Sequence, residues 1–150
     1  MQLGLGTAAL GRPQYINVRQ EECDNSDLTK FRNQSFSVLE NAYKAGIRYF
    51  DTAPGYGLAE ELVLEWLQTK NDNSIEIGTK WGYTYTANFD PNATVHEVKE
   101  HSLSKLKEQW NFSKQLLPYL KVYQIHSATL ETGVLENTEV LQQLAFLKKE

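Results

Sequence analysis

Hydrophobic and polar positions along this chain switch between two periods. Short apolar or alternating runs at residues 2–8 (QLGLGTA), 47–50 (IRYF), 75–79 (IEIGT) and 120–125 (LKVYQI) predict strands. Helical spacing takes over between them. Phe36, Leu39, Ala42 and Tyr43 repeat at that spacing over 35–45, and Gly46 stands where a left-handed C-terminal cap is expected. Over 59–69, Leu62, Trp66 and Leu67 share a face, and Glu60 and Glu61 suit the positive N-terminal end of a helix. Thr94-Val95-His96-Glu97 has the spacing of a capping box and predicts a helix from there to about Trp110. A last helical pattern runs from about residue 137. The polar, aperiodic segments 12–34 and 81–93 are expected to be loops.

The predicted order is β-α-β-α-β-α-β-α. Such alternation implies an α/β fold with a parallel sheet and right-handed crossovers. Two closures fit it, an open doubly wound sheet and a (β/α) barrel. A complete barrel needs eight units and typically about 250 residues. This chain has 150 residues, the size of one ordinary domain.

Composition narrows the functional classes. The chain is 41% hydrophobic and 23% charged, which is ordinary for a globular protein. Its net charge is −4, and no basic stripe interrupts it, so nucleic acid is not an expected partner. The apolar runs are too short to span a membrane. The opening MQLGLGTAALG lacks a basic region and is predicted to be a strand and loop rather than a signal peptide. One cysteine, Cys23, cannot form an internal disulfide, so the expected compartment is the reducing cytoplasm.

Chemistry concentrates at the strand ends. Asp51 follows IRYF, Lys80 follows IEIGT and His126 follows VYQI. In parallel α/β folds these ends share one face, where ligands bind. Tyr56 lies on the loop after the second strand and can reach the same place. A carbonyl that accepts a hydride needs a proton on its oxygen. A phenol with its ordinary pKa of about 10 is a weak donor, and a nearby ammonium strengthens it. Tyr56, Lys80 and Asp51 supply phenol, ammonium and the carboxylate that holds the ammonium. His126 could orient the carbonyl. Each residue alone has an ordinary structural reading: Asp51 capping a turn, Lys80 in solvent, His126 satisfied within the fold, Tyr56 packed on the rim. Together they must place four compatible groups on one face by chance.

His96 and His101 mimic a zinc motif, but they are five residues apart where that motif needs four. Both are expected to be solvated helix residues, and no metal site is expected. The sequence contains neither a Walker loop nor a G-x-S-x-G elbow, and LGLGTAALG lacks dinucleotide-fingerprint spacing.

The motifs LGLGT, GIRYFDTAPGYG, IGTK and YQIH, in that order, resemble the aldo-keto reductase family. The resemblance covers essentially the whole chain as the first four βα units, the N-terminal half, of a TIM (β/α)8 barrel. It implies NAD(P)H-dependent reduction of aldehydes or ketones, or the reverse oxidation of alcohols, with NADP the usual cofactor and NAD an alternative. It also implies a catalytic tetrad of Tyr56 as acid, Lys80 and Asp51 as its tuners, and His126 as the carbonyl's positioner. Gly6, Thr7 and Asp51 would border the cofactor, and Trp81 would line the substrate pocket or pack at its rim.

Some features depart from the family pattern. The loop at 12–34 is long, as is the segment between Trp110 and Leu120; Ala59 replaces a common serine, and Leu64 a common glycine. The family commonly continues past Leu-Lys-Lys-Glu with Gly-Lys and a fifth strand. The half that follows normally holds most pyrophosphate and adenosine contacts. The domain is therefore expected to be incomplete and the isolated chain weakly active. The rival expectations are a non-catalytic half-barrel that self-associates through open sheet edges, a cofactor-binding regulatory subunit, and a truncated product.

Overall fold

The structure, a computed structural model, describes residues 3–12, 28–90 and 92–149. Most of the loop expected at 12–34 lies outside these residues. Strand β1 (Gly4–Gly6) leads into a short helix α1 (Ala8–Gly11), and helix α2 spans Leu28–Lys44. Then follow β2 (Tyr49–Asp51), α3 (Ala59–Leu67), β3 (Glu76–Trp81), β4 (Tyr83–Tyr85) and β5 (Glu97–Lys99). Helix α4 (Leu103–Ser113), strand β6 (Leu120–Ile125) and helix α5 (Thr138–Leu147) complete the order.

The main sheet has the order β1-β2-β3-β6, parallel throughout. Each βα strand lies beside the preceding one. That sequential order is the order of a barrel wall. A doubly wound sheet would reverse direction at a switch point. Of the two closures open from periodicity, this one holds.

Alternation along the strands sorts side chains onto two faces. Phe50, Ile77 and Trp81 point to the helices. Phe50 and Ile77 pack with Leu39, Val63, Trp66, Leu67, Ile75 and Leu116. Trp81 packs with Leu106, Trp110, Val134, Val140 and Leu147. Burying each large apolar side chain contributes about 1.5–3 kcal/mol, so these two clusters anchor the sheet to its helices.

Two expectations need correction. Residues 28–34 are helical rather than loop, because Phe31, Ser35 and Leu39 continue one buried stripe at four-residue spacing. Arg32 on that extension pairs with Glu61 at 2.9 Å and Glu65 at 2.5 Å on α3. The second correction concerns 81–100. Residues 97–99 are strand, paired antiparallel with 83–85, and α4 starts only at Leu103. The helix-capping oxygen there belongs to Ser102, which accepts from the Lys105 amide at 3.1 Å. Thr86 donates its amide to His96 O and its hydroxyl to Val95 O, so the backbone around Thr94 is committed to the hairpin.

The expected cap at Gly46 is present. Gly46 has φ +94°, its amide bonds Tyr43 O at 3.0 Å, and the Ile47 amide bonds Ala42 O at 3.0 Å. This is the Schellman pattern, which needs a left-handed residue, and it turns the chain directly into β2.

Candidate active site

Parallel register brings the sequence-derived residues together. Gly6 is opposite Asp51, Asp51 is opposite Gly78, and Lys80 is opposite Gln124. Tyr49, Asp51, Gly78 and Lys80 share the face away from the helices. Gly78 makes room there: a Cβ at that position would overlap the Tyr49 phenol. The missing side chain lets Tyr49 and Asp51 lean across β3 toward Lys80. Burial first, and then the Asp51 charge, push the Tyr49 phenol up.

Lys80 Nζ donates to Asp51 Oδ2 at 2.5 Å and to Thr52 O at 3.1 Å. The pair is partly shielded, with side-chain exposures of 12% for Lys80 and 31% for Asp51. Tyr56 comes from a 3-10 turn, Pro54–Tyr56, in which proline opens the turn and the Tyr56 amide bonds Ala53 O at 3.0 Å. Proline suits this opening position because its φ is already set. The turn brings the Tyr56 ring to 4.9 Å from Lys80 Nζ.

His126 directly follows β6, and its amide bonds Trp81 O at 2.9 Å. Its ring meets Tyr56 edge-on, centroids 5.5 Å apart, and Tyr83 at 4.6 Å. Burial, and secondarily the Lys80 charge, hold the imidazole below its ordinary pKa, so it is neutral near pH 7. Its Nδ1 is buried and has no hydrogen-bond partner among the described residues. Asp51, Tyr56, Lys80 and His126 thus occupy one corner at the carboxyl ends of the strands.

The other expected site residues are less alike. Thr7 is fully buried, and both its amide and its hydroxyl bond Asp51 O at 2.9 Å. It locks the end of β1 to the end of β2. Gly6 has open space where a Cβ would stand. Trp81, expected to line the pocket or to pack at its rim, does neither: it is wholly buried against α4 and α5 because its parity on β3 is opposite to that of Lys80. Tyr83, half-buried, lies against His126 with its ring tilted by 55°.

Sequence reasoning missed three residues. His101 is not a solvated helix residue. Its Nε2 is 2.9 Å from His126 O, and its ring packs edge-on to Trp81 at 5.4 Å. Burial lowers its pKa, so it is neutral near pH 7 and Nε2 is the donor to that carbonyl. Arg12 reaches both the Tyr56 turn and the hairpin. Glu60, given a helix-end role from sequence, is buried; it accepts from Thr79 Oγ1 at 2.7 Å and from Ser113 Oγ at 2.9 Å. Burial overrides those hydrogen bonds and pushes its carboxyl up to about 7. Among the described residues, no group of three or more metal-ligating side chains forms, and no helix is long and apolar enough to cross a membrane.

Comparison with known proteins gives this arrangement its relatives. The family model described as "Aldo/keto reductase family" matches residues 2–149. D-threo-aldose 1-dehydrogenase of a Pseudomonas species is 36% identical over 87 residues, covering 55% of this chain and 26% of its own. The uncharacterized oxidoreductase YqkF of Bacillus subtilis is 31% identical over 121 residues, covering 75% of this chain and 36% of its own. Pyridoxal 4-dehydrogenase of Microbacterium luteolum is 38% identical over 86 residues, 56% of this chain and 21% of its own. In structure, the holo form of an aldo-keto reductase from Bacillus halodurans superposes with TM-score 0.65 at 24% identity, over 95% of this chain and 41% of that one. The chain spans at most 36% of the length of these curated relatives and 41% of that solved one. Its four parallel βα units are an α/β fold matching about half of an aldo-keto reductase TIM barrel, and the chain belongs to the aldo/keto reductase family of oxidoreductases.

Proposed function

We propose that this chain carries the proton-donating half of an NAD(P)H-dependent carbonyl reductase, with Tyr56 as general acid. The observation that supports this most is the Lys80 ammonium, held by Asp51 at 2.5 Å and set 4.9 Å from the Tyr56 ring. A positive charge at that range stabilises the phenolate and makes the phenol a better acid. Asp51 keeps the ammonium in place. His126, neutral near pH 7, donates a hydrogen bond to the carbonyl oxygen and orients it. Tyr56 then protonates that oxygen as it becomes an alkoxide, and in the reverse direction its phenolate removes the alcohol proton.

The residues present suit the nicotinamide end of NADPH, or of NADH. Gly6 offers open space beside Asp51 at the carboxyl end of β1, where a flat ring can lie. A bound reduced nicotinamide would supply the hydride. We assign most of the phosphate and adenosine contacts to further βα units, so the domain is one half of a barrel and the 150-residue chain alone turns over little. Relatives named for an aldose and for pyridoxal make small polar aldehydes and alcohols the first substrates to test. The single cysteine supports a cytoplasmic setting.

Aldehyde-dependent NADPH oxidation tests this reading. We expect little by residues 1–150 and clear turnover once the remaining βα units are supplied. Enzyme-like turnover by 1–150 alone would overturn the half-domain reading. Its absence from the completed barrel would overturn the reductase reading.

A second reading, action by association, has one specific support. A cavity of about 460 Å³ runs between β6 and α5, lined by Trp110, Leu117, Val122 and Leu144 among others. It adjoins an outer strand of the sheet whose Val122 is 38% exposed. Sizing by light scattering separates the readings: an edge-paired dimer favours association, and a soluble monomer counts against it.

A further inference from the structure

Arg12 takes part in none of the chemistry above, yet it meets the Tyr56 turn. Gly11 and Arg12 end α1, and their backbone docks directly on that turn. The Leu58 amide bonds Gly11 O at 3.0 Å, and a Cβ at Gly11 would overlap the Tyr56 carbonyl oxygen. Only glycine permits this approach, and it leaves the Arg12 side chain 11% exposed. Arg12 Nη2 donates to Gly55 O and pairs with Glu97 Oε2 at 2.7 Å. The guanidinium carbon lies 4.9 Å from the Tyr85 ring centre and 5.8 Å from that of Tyr56.

One side chain therefore joins the end of α1, the turn that carries Tyr56 and the β4–β5 hairpin. A guanidinium so far out of water is costly unless its donors and charge are matched. Here Nη2 and the charge are met by Gly55 O, the Glu97 carboxylate and two aromatic faces, while the buried Nε has no hydrogen-bond partner among the described residues. Among the described residues, the charged or titratable groups facing Tyr56 include Lys80 from β3, His126 after β6 and Arg12. Asp51 offsets Lys80, Glu97 offsets Arg12, and the Tyr83 ring lies against His126.

We propose that Arg12 is a positioning residue for Tyr56. It fixes the tyrosine turn through Gly55 O, ties the hairpin to that turn through Glu97, and adds a second cation to the one Lys80 provides. Its meaning for catalysis rests on the reading of Tyr56 as acid, whereas its effect on the phenol stands apart from that reading.

The test is a 13C NMR titration of tyrosine Cζ in residues 1–150, with the Tyr56 resonance identified by its loss in Tyr56→Phe. Arg12→Met removes the cation and should weaken Tyr56 ionisation by roughly threefold or more. Glu97→Gln removes the offsetting carboxylate and should strengthen it. Arg12→Lys keeps the charge and should fall between wild type and Arg12→Met. A merely structural clamp would make Arg12→Met and Glu97→Gln shift the phenol in the same direction, and that result overturns the proposal. An unchanged midpoint in Arg12→Met overturns it too. If Arg12→Met does not fold, the sign for Glu97→Gln decides. Lys80→Met serves as the control: a rise there with none in Arg12→Met removes the Arg12 proposal and leaves the Tyr56 reading standing.

Discussion

Lys80 Nζ and Asp51 Oδ2, from adjacent parallel strands, are 2.5 Å apart on the face of the sheet that points away from the helices. Twenty-nine residues separate them in sequence, and strand parity with register brings them together. Removing either partner therefore has a defined consequence. In the completed barrel, Lys80→Met should cut carbonyl reduction by about 10²–10⁴-fold, the usual range for a lost acid–base contribution. Asp51→Asn should cost less, because the ammonium keeps its hydrogen bond to Thr52 O. Steady-state rates against pH check this. In Lys80→Met the requirement for neutral phenol should move to higher pH, the direction expected on removing a cation beside it.

Glu60 predicts a pH dependence of stability. Its carboxyl is at about 7 in the folded chain, against an ordinary value of about 4.3 when unfolded. The folded state therefore binds more protons between those values. The resulting stability is fully present below about pH 4 and is lost as pH rises through 7. The swing is about 4 kcal/mol. His101 and His126, with lowered pKa values, act in the opposite sense: their contribution is present above the unfolded value and is lost as pH falls. The difference between wild type and Glu60→Gln isolates the glutamate. Urea melts should show Glu60→Gln gaining on wild type from pH 4 to pH 8. A difference independent of pH would remove this account.

Gly82 tests the support behind His126. Its φ is +116°, and a Cβ there would overlap the His101 ring. Gly82→Ala should therefore suffer both backbone strain and displacement of the imidazole that bonds His126 O. We expect a loss of roughly 2–4 kcal/mol in urea unfolding. Gly46→Ala is the control. Its φ is +94° with open space around it, so only the backbone penalty of about 1 kcal/mol applies. Equal losses at both positions would mean that the His101 contact contributes nothing.

Much of this site was legible in the sequence because its parts sit at strand ends. Asp51, Lys80 and His126 each close a short apolar run, and parallel order alone sends such ends to one face. Tyr56 was legible from its proline and glycines. The residues that support them were not. Tyr83-Thr84-Tyr85 is three residues long, and its partner lies across a loop, so no local period announces the hairpin. Thr94-Val95-His96-Glu97 carries a helix-start pattern, but Glu97 pairs with Arg12 and its backbone joins a strand. That misplacement also hid His101. Adjacency in sequence sets Trp81 beside Lys80, whereas a strand sends neighbours to opposite faces. The extension of α2 was masked by Thr29 and Lys30, which are polar residues flanking the buried stripe at Phe31.

Aldehyde reduction by wild type and by Tyr56→Phe, in the completed barrel, tests the central claim most directly. NADPH binding is followed in parallel through tryptophan fluorescence. Phenylalanine keeps the ring against Lys80 and His126 and removes only the hydroxyl. Reduction should fall by about 10²–10⁴-fold, while NADPH binds as in wild type. Wild-type turnover by Tyr56→Phe would contradict the assignment of Tyr56 as the acid.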